Sequence, residues 1–146
     1  MGDMNSKVKV EFESKSYNES FARMVIAAFV TPLDPTIEEL CDVKMAVSEA
    51  VTNSIIHGYD EREDGKIVIE AECFDDNTIK VVVIDYGKGI EDINKAREAM
   101  YTTKPEKERS GMGFTVMEAF MDSVEVESTL DKGTKVVLIK KFQSVS

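Results

Sequence analysis

Three residues that could do chemistry share one predicted helix. Glu49, Asn53 and His57 follow one another at intervals of four residues within SEAVTNSIIHGY, residues 48–59. At about 100° of rotation per residue, Glu49 comes out roughly opposite the apolar positions that would face a sheet. A carboxylate can accept a proton, and an amide oxygen can bind a hard cation such as Mg²⁺. The helix pattern alone also fits a solvated face, since single polar residues on helices are common.

A carboxylate at the end of an apolar strand is a second candidate. Asp85 comes at the end of the stretch TIKVVVIDY, and the residues after it place Gly87 and Gly89 two positions apart. Glycines let the backbone come close to a ligand because they have no Cβ atom. An ordinary turn after a strand has the same composition, so this segment alone leaves both interpretations open.

A polar segment with several cations is the third candidate. In TTKPEKERSGMGF, residues 102–114, three basic residues precede two glycines and a predicted helix: Lys104, Lys107, Arg109, Gly111 and Gly113. Glycines at a helix N-terminus expose backbone N–H groups to an anion, and the helix dipole adds attraction. A plain surface loop is the alternative, although a cationic loop is unusual in a chain of net charge −10. P-loop and dinucleotide fingerprints are absent, which argues against those two nucleotide folds.

The apolar pattern predicts the elements that must position these residues. A capping box of Thr36 and Glu39 starts the central helix, which is expected to run to His57 and stop at Gly58. The other predicted elements are strands over 7–14, 66–74, 78–86, 123–129 and 134–142, helices over 17–31, 91–99 and 114–121, and a loop over 101–113. Helices and strands do not alternate strictly. The order therefore predicts an α+β two-layer sandwich rather than a doubly wound parallel sheet.

Composition limits the class of protein. The 146 residues suit one domain, 1–146, and the 42% hydrophobic and 32% charged content predicts a globular rather than a disordered chain. The net charge of −10 disfavours nucleic acid as a partner, because the phosphate backbone is also negative. No apolar run is long enough to cross a membrane, and the N-terminus lacks a secretion signal. We therefore expect a cytoplasmic protein that binds neither nucleic acid nor membrane.

The cysteine and histidine content argues against a zinc site. Cys41 and Cys73 lie far apart in apolar stretches, which predicts two buried, reduced thiols. His57 is the single histidine of the chain. Zinc sites in proteins use clustered Cys and His ligands, and this sequence has no such cluster.

The three candidate segments, in this order, resemble the sequence boxes of the GHKL ATPase and kinase superfamily. EAVTNSIIHGY matches its N box, DYGKGI its first glycine box and SGMGF its second. The resemblance covers almost the whole chain and implies the Bergerat ATP-binding fold. In that fold a mixed β-sheet carries helices on one face, and an ATP lid loop, here residues 101–113, covers the nucleotide.

The resemblance implies a role for each polar residue of the N-box helix. Glu49 would be the catalytic carboxylate, positioned to accept the proton of an attacking hydroxyl. Asn53 would coordinate the Mg²⁺ that bridges the phosphates of ATP. His57 matches the histidine of the N box, and packing of the helix end explains it equally well.

The resemblance also implies how the nucleotide is held. Asp85 would accept a hydrogen bond from the exocyclic amine of adenine, and Thr134 matches a threonine near the adenine. Arg109 would contact the terminal phosphate. Four glycines complete the assignments, two that admit the nucleotide to the backbone and two in the lid: Gly87, Gly89, Gly111 and Gly113.

Flanking segments narrow the resemblance to the anti-sigma F family, serine kinases of endospore-forming bacteria. The similarity includes NESFAR, residues 18–23, and LDPT, residues 33–36. It implies that the chain binds a sigma factor, sigma F, in the ATP state and phosphorylates a serine of an anti-anti-sigma factor. It also implies a homodimer, with residues 1–32 contributing to dimer and partner contacts. Glu19 and Arg23 match partner-contacting residues, although a surface ion pair at i, i+4 also explains them.

Two alternatives share the same boxes. A binding module could use ATP only to set its shape, without phosphate transfer, but such a module would need no base at Glu49. The anti-sigma B type of stress-response kinase has the same boxes and is less similar in the flanking segments. Histidine kinases fit less well, because the single histidine, His57, lies inside the N box.

Overall fold

Five strands and three helices make up most of the part of the chain that the structure describes. The computed structural model describes residues 5–90 and 113–143. The strands are β1 Ser6–Glu13, β2 Lys66–Cys73, β3 Thr78–Asp85, β4 Ser123–Thr129 and β5 Gly133–Lys141. The helices are α1 Asn18–Phe29, α2 Ile37–Asn53 and α3 Gly113–Phe120. A 3-10 turn at Thr31–Leu33 precedes α2, and a π-helical segment at Ser54–Gly58 follows it.

The strands form one sheet in the order β1-β2-β3-β5-β4. Each of the four strand pairings within the described residues is antiparallel, so the predicted mixed sheet is corrected. The reason is the β4–β5 hairpin, because β5 returns from β4 through a short turn and inserts between β3 and β4. Strands β3 and β4 therefore run parallel to each other without being neighbours.

The helices pack on one face of the sheet, with α2 in the middle. Helix α2 contacts α1 and α3, and it also reaches β3 and β5. Its buried side chains are Val43, Ala46, Val47, Ala50 and Val51. Their spacing of three and four residues forms one apolar stripe, which joins the core against the sheet. This arrangement confirms the predicted α+β sandwich with helices on one face.

Helix α2 begins as predicted and ends differently. Thr36 and Glu39 form the expected capping box, in which Glu39 N donates to Thr36 Oγ1 at 3.1 Å and Thr36 N donates to Glu39 Oε1 at 2.9 Å. The sequence predicts a helix to His57 with a stop at Gly58. The α-helical geometry ends at Asn53, and a π-helical turn carries the chain on to Gly58.

The other predicted elements within the described residues are confirmed to within a residue or two at most ends. The turn between β2 and β3 has Asn77 at φ 67°, and the β4–β5 turn has Asp131 at φ 65°. Asn and Asp are favoured among non-glycine residues in this left-handed conformation. The predicted helix over 91–99 and all but the last residue of the predicted loop over 101–113 lie outside the described residues.

The structure bears on the predicted burial of the two cysteines and on membrane-spanning helices. Cys73 is buried as expected, but Cys41 is exposed, so that prediction is wrong. Cys41 lies two residues before Val43, about 200° around the helix from the buried stripe. In the described ranges no helix is both long enough and apolar enough to span a membrane.

Candidate nucleotide-binding site

Glu49, Asn53 and His57 lie along one side of the N-box helix. All three side chains are half-buried, at successive turns of α2 and of the π-helical segment that follows it. At a rise of 1.5 Å per residue, about 6 Å of helix axis separates Glu49 from Asn53. The carboxylate and the amide are therefore neighbours one turn apart, and both are half-buried.

Among the Asp, Glu, Lys, Arg and His side chains that the structure describes, Asp85 alone is buried, with 4% of its surface exposed. Its Oδ2 atom accepts a hydrogen bond from Ser54 Oγ at 2.8 Å, and its Oδ1 atom accepts one from Gly87 N at 3.0 Å. It lies at the end of β3, directly across from Thr134 on β5. Each carboxylate oxygen thus has at least one protein donor, and the group keeps the capacity for a further hydrogen bond.

Burial and hydrogen bonding act in opposite directions on this carboxyl group. Burial raises the pKa of Asp85 above its ordinary value, and hydrogen bonds from Gly87, Ser54 and Thr134 partly offset that effect. Burial disfavours the charged form, whereas donors stabilise it. A buried, oriented carboxylate of this kind is suited to accept a hydrogen bond from an amine of a bound ligand.

The π-helical segment and the first glycine box touch through their backbones. Lys88 N donates to Gly58 O at 2.9 Å. A Cβ atom on Gly87 would lie 2.2 Å from Gly58 O, so a larger residue requires the main chain to move. Gly87 therefore has a packing role inside the protein, in addition to the predicted approach of its backbone to a nucleotide.

The rest of the first glycine box is held by the β4–β5 hairpin. Gly89 has φ +77°, and a Cβ atom there would lie 2.3 Å from Thr129 O. Ser128 Oγ accepts a hydrogen bond from Ile90 N at 2.7 Å and lies 2.8 Å from Thr134 Oγ1. The half-buried Thr134 is thus part of a polar cluster beside Asp85, and the adenine contact that the resemblance implies for it stays a prediction.

Glu19 and Arg23 form the i, i+4 ion pair that was the alternative to a partner contact, and the pair is joined to α2. Ser48 Oγ donates to Glu19 Oε2 at 2.7 Å, and Arg23 Nη2 donates to Ser20 Oγ at 3.0 Å. The Nε atom of Arg23 contacts the Glu19 carboxylate without the alignment of a hydrogen bond. The Arg23 side chain remains 38% exposed. The pair therefore fastens α1 to α2 beside Glu49 and is still accessible to a partner.

The predicted lid lies almost entirely outside the described residues. Arg109 and Gly111 fall within 91–112, so their roles stay predictions. Gly113 is the first residue of α3, which confirms a glycine at the start of that helix. The first residues of a helix carry N–H groups without intrahelical partners, as the predicted anion contact requires.

Three polar residues contribute to the site without any signal in the sequence: Ser54, Tyr59 and Ser128. The Tyr59 hydroxyl donates to Lys66 O at 2.5 Å and accepts from Tyr86 N at 2.7 Å. The partners that tie these three residues to the end of β3 and the first glycine box are 27 to 38 positions away along the chain. A local pattern could not reveal them, because only the fold brings the partners together.

The side chains present fit ATP with a lightly coordinated Mg²⁺. In the part of the chain that the structure covers, no group of three or more His, Cys, Asp or Glu could hold a metal ion. Mg²⁺ in phosphoryl-transfer sites keeps several waters and takes one or two protein ligands together with substrate phosphates. The single amide of Asn53 suits that mode of binding, and Asp85 suits an amine donor.

Comparison with known proteins shows the family. Residues 12–140 match the family described as the histidine kinase-like ATPase domain. The chain is 60% identical over 142 residues to an anti-sigma F factor of Clostridium beijerinckii, and the match covers 97% of this chain and 99% of that protein. An anti-sigma F factor of Clostridium perfringens is 57% identical over 141 residues, which cover 97% of this chain and 100% of that protein.

Two solved structures share the fold at low identity. The RsbU and RsbW domains of a Mycobacterium tuberculosis protein match with a TM-score of 0.70 and 17% identity, over 97% of this chain and 34% of that one. The histidine kinase domain of a blue-light-activated kinase from Erythrobacter litoralis matches with a TM-score of 0.55 and 17% identity, over 85% of this chain and 60% of that one. These likenesses confirm the fold predicted from the three boxes. The chain belongs to the anti-sigma F factor family, built on the histidine kinase-like ATPase domain.

Proposed function

We propose that the chain is an ATP-dependent protein serine kinase that also inhibits a sigma factor. Its family is one of anti-sigma factors with an ATPase domain. The observation that carries the proposal is the buried Asp85 carboxylate with a donor on each oxygen. It lies beside the end of the helix that carries Glu49 and Asn53.

The adenine end of the site is assigned to β3 and β5. Asp85 would accept from the exocyclic amine of adenine, and Thr134 lies across from it in the neighbouring strand. Burial makes this contact selective, because a ligand without a donor would leave the remaining acceptor capacity of the desolvated carboxylate unused. Gly87 and Gly89 are proposed to let the adjoining backbone approach the nucleotide closely.

The phosphate end of the site is assigned to α2 and to the start of α3. Asn53 would hold Mg²⁺, which when bound offsets the negative charge of the phosphates. Arg109, Gly111 and Gly113 are proposed to contact the phosphates from the lid. Glu49 is proposed to act one helical turn before Asn53 as the general base.

The proposed transfer requires little covalent chemistry from the protein. The hydroxyl oxygen of a partner serine attacks the γ-phosphorus of ATP, and Glu49 takes the hydroxyl proton. The bond from the γ-phosphorus to the bridging oxygen breaks, and ADP leaves with that electron pair. The products are phosphoserine, ADP and protonated Glu49, which then loses its proton to solvent.

The proposed partners follow from the relatives, which are anti-sigma F factors. The chain is proposed to bind sigma F in its ATP state and to phosphorylate an anti-anti-sigma factor. A homodimer in the cytoplasm is proposed, with residues 1–32 at the dimer and partner contacts. Arg23, partly exposed on α1, and its ion-pair partner Glu19 are the candidate contact residues.

The decisive experiment incubates the purified protein with γ-labelled ATP, Mg²⁺ and a candidate anti-anti-sigma factor, and then locates the label. Label on a serine of the partner is the expected outcome. Label on this chain itself would overturn the serine-kinase assignment.

ATP binding without any transfer is the outcome expected of a nucleotide-gated binding module. Capture of the sigma factor with and without ATP then tests the anti-sigma role separately. A stress-response sigma factor bound in preference to sigma F would favour the anti-sigma B type.

A further inference from the structure

A phenol hydroxyl bridges two strands at the point where Asp85 enters the site. Tyr59 is 4% exposed, and its Oη donates to Lys66 O at 2.5 Å while it accepts from Tyr86 N at 2.7 Å. Pairing of β2 with β3 stops at Ile67 and Asp85, one residue before Lys66 and Tyr86 would pair. The hydroxyl of Tyr59 thus relays a hydrogen bond between the strands where their direct pairing ends.

The course of the chain after β3 depends on this bridge. Immediately beyond Tyr86, Gly87 N donates to Asp85 Oδ1 at 3.0 Å, and Lys88 N donates to Gly58 O at 2.9 Å. The chain therefore leaves β2 and turns toward the end of the π-helical segment. The same turn supplies the backbone donor that orients the Asp85 carboxylate.

The Tyr59 ring is fixed from the other side. A Cβ atom on Gly65 would lie 2.6 Å from atoms of the ring, so the ring packs directly against that glycine. Burial raises the pKa of Tyr59, and the hydrogen bond from Tyr86 N acts in the opposite direction. The hydroxyl stays protonated near neutral pH and keeps its proton for the carbonyl of Lys66.

We propose that Tyr59 is a positioning residue for adenine recognition. Its hydroxyl holds Tyr86 N and thereby sets the turn that aims Asp85 at the exocyclic amine. The inference rests on the proposed ATP function and adds a residue that makes no contact with the nucleotide itself. Ser54 orients the other oxygen of the same carboxylate, so the two hydroxyls act from opposite ends of the π-helical segment.

The test compares Tyr59→Phe with Tyr17→Phe, an exposed tyrosine outside this site. Calorimetry measures binding of ATP and of purine riboside triphosphate, which lacks the exocyclic amine, both with Mg²⁺ and well below the melting temperature. In Tyr59→Phe the ATP affinity should fall roughly threefold to tenfold, the range expected for loss of a hydrogen bond. The affinity for purine riboside triphosphate should fall much less, so the ratio of the two affinities, which measures the preference for ATP, should decrease. Tyr17→Phe should match the parent for both compounds.

Equal losses of affinity for the two triphosphates, or no loss for either, would overturn the inference, because a merely structural role does not alter the preference for one base.

Amide hydrogen exchange of Gly87 and Lys88 without nucleotide provides an independent readout. Faster exchange at both amides in Tyr59→Phe is expected, and unchanged exchange would overturn the role of the hydroxyl. If the parent binds neither triphosphate, the proposed function fails, while the exchange result still decides whether Tyr59 holds the turn.

Discussion

At the scale of single residues, the candidate site depends on two carboxylates in different surroundings. Asp85 is buried and has a donor on each oxygen, which suits a fixed acceptor. Glu49 is half-buried on the side of α2 and is therefore only partly removed from solvent. Carboxylates placed in contrasting environments commonly take different roles in one site. That contrast supports the proposed recognition role of Asp85 and the proposed base role of Glu49.

Glu49→Gln should separate phosphate transfer from nucleotide binding. The amide keeps the size and polarity of the side chain but cannot take the hydroxyl proton. Transfer of label to the partner should fall on the order of 10²–10⁴-fold. The ATP dissociation constant measured by calorimetry should stay close to that of the parent. A variant that transfers phosphate at the parent rate would show that Glu49 is not the base.

Asn53→Ala should change how strongly ATP binding depends on Mg²⁺. If the amide holds Mg²⁺, the gain in ATP affinity on adding Mg²⁺ should shrink in the variant. Titrations with ATP in the presence and absence of Mg²⁺ measure that gain. Thr52→Ala, a change at the preceding half-buried position, serves as the control. The same gain in Asn53→Ala and in the parent would exclude the metal role.

The buried carboxyl group of Asp85 predicts a pH dependence of stability. Its pKa is raised by burial, so the folded state holds this proton more tightly than the unfolded state does. The stabilisation is fully present below the ordinary range of aspartate, about pH 4, and is lost as pH rises through the folded pKa. The unfolding free energy of the parent relative to Asp85→Asn should therefore decrease over that interval.

Urea unfolding at several pH values measures the change expected for Asp85. The control variant is Asp75→Asn, at an exposed carboxylate in the β2–β3 turn. It shows how much of the pH-dependent change in unfolding free energy comes simply from removing one of many negative charges. A parent-to-variant difference that stays constant with pH for Asp85→Asn would contradict the raised pKa.

At the scale of elements, the π-helical segment connects the helix that carries the catalytic candidates with the strand that carries Asp85. Tyr59 N donates to Ser54 O at 3.0 Å, which closes a turn wider than that of an α-helix. Segments of this kind are often found at functional sites. Here the wider turn lets Ser54 reach the Asp85 carboxylate while Gly58 meets the backbone of Lys88.

The close contact between these two segments predicts a large effect of Gly87→Ala. Because the added Cβ atom would lie 2.2 Å from Gly58 O, the π-helical segment and the strand end must move apart. Overpacking of this kind typically costs about 1–3 kcal/mol of unfolding free energy, and ATP affinity should fall as Asp85 loses its alignment. Lys88→Ala is the matched control, since it removes only an exposed ion pair with Asp60. Equal stability and ATP affinity in the two variants would exclude a packing role for Gly87.

At the scale of the whole molecule, the two faces of the sheet are closed in different ways. One face is covered by the helices and forms the core. On the other face, three valines are buried although none of the described helices packs there: Val68, Val82 and Val137. Long charged side chains lie beside them, including the pair Lys9 and Glu70, whose charged atoms are 4.0 Å apart. Their aliphatic stems can cover the valines while the charges stay in water.

The layered arrangement predicts that ligand binding stabilises the entire domain. ATP held between α2 and the ends of β3 and β5 would bind the folded chain and not the unfolded one. At a free concentration of a hundred times the dissociation constant, Mg-ATP should add about 2.7 kcal/mol to the unfolding free energy. A rise of several degrees in the melting temperature is then expected for a domain of this size. Thermal unfolding measures the rise, which should be much smaller in Asp85→Asn.

An absent shift in the parent would contradict ATP binding as a whole. An equal shift in the parent and in Asp85→Asn would contradict only the role of the carboxylate. The two outcomes therefore distinguish between the site and one of its residues.

The sequence by itself determined the elements, their order and most of the chemical groups of the candidate site. Periodicity located the stripe of α2, and the capping pair Thr36 and Glu39 started the helix. Each of these signals acts over a few residues, because side-chain spacing and local hydrogen bonds decide helices, strands and turns. Each of the three boxes is likewise a short run of neighbouring residues, and together they indicated the fold and the family.

Only the tertiary structure decided how these groups are held. The antiparallel sheet, the π-helical turn and the exposure of Cys41 depend on how elements pack, which local spacing does not specify. Ser54, Tyr59 and Ser128 became part of the site because the fold brings them to partners 27 to 38 residues away. The physical reason is that a hydrogen bond acts over about 3 Å of space, whatever distance along the chain separates its two atoms.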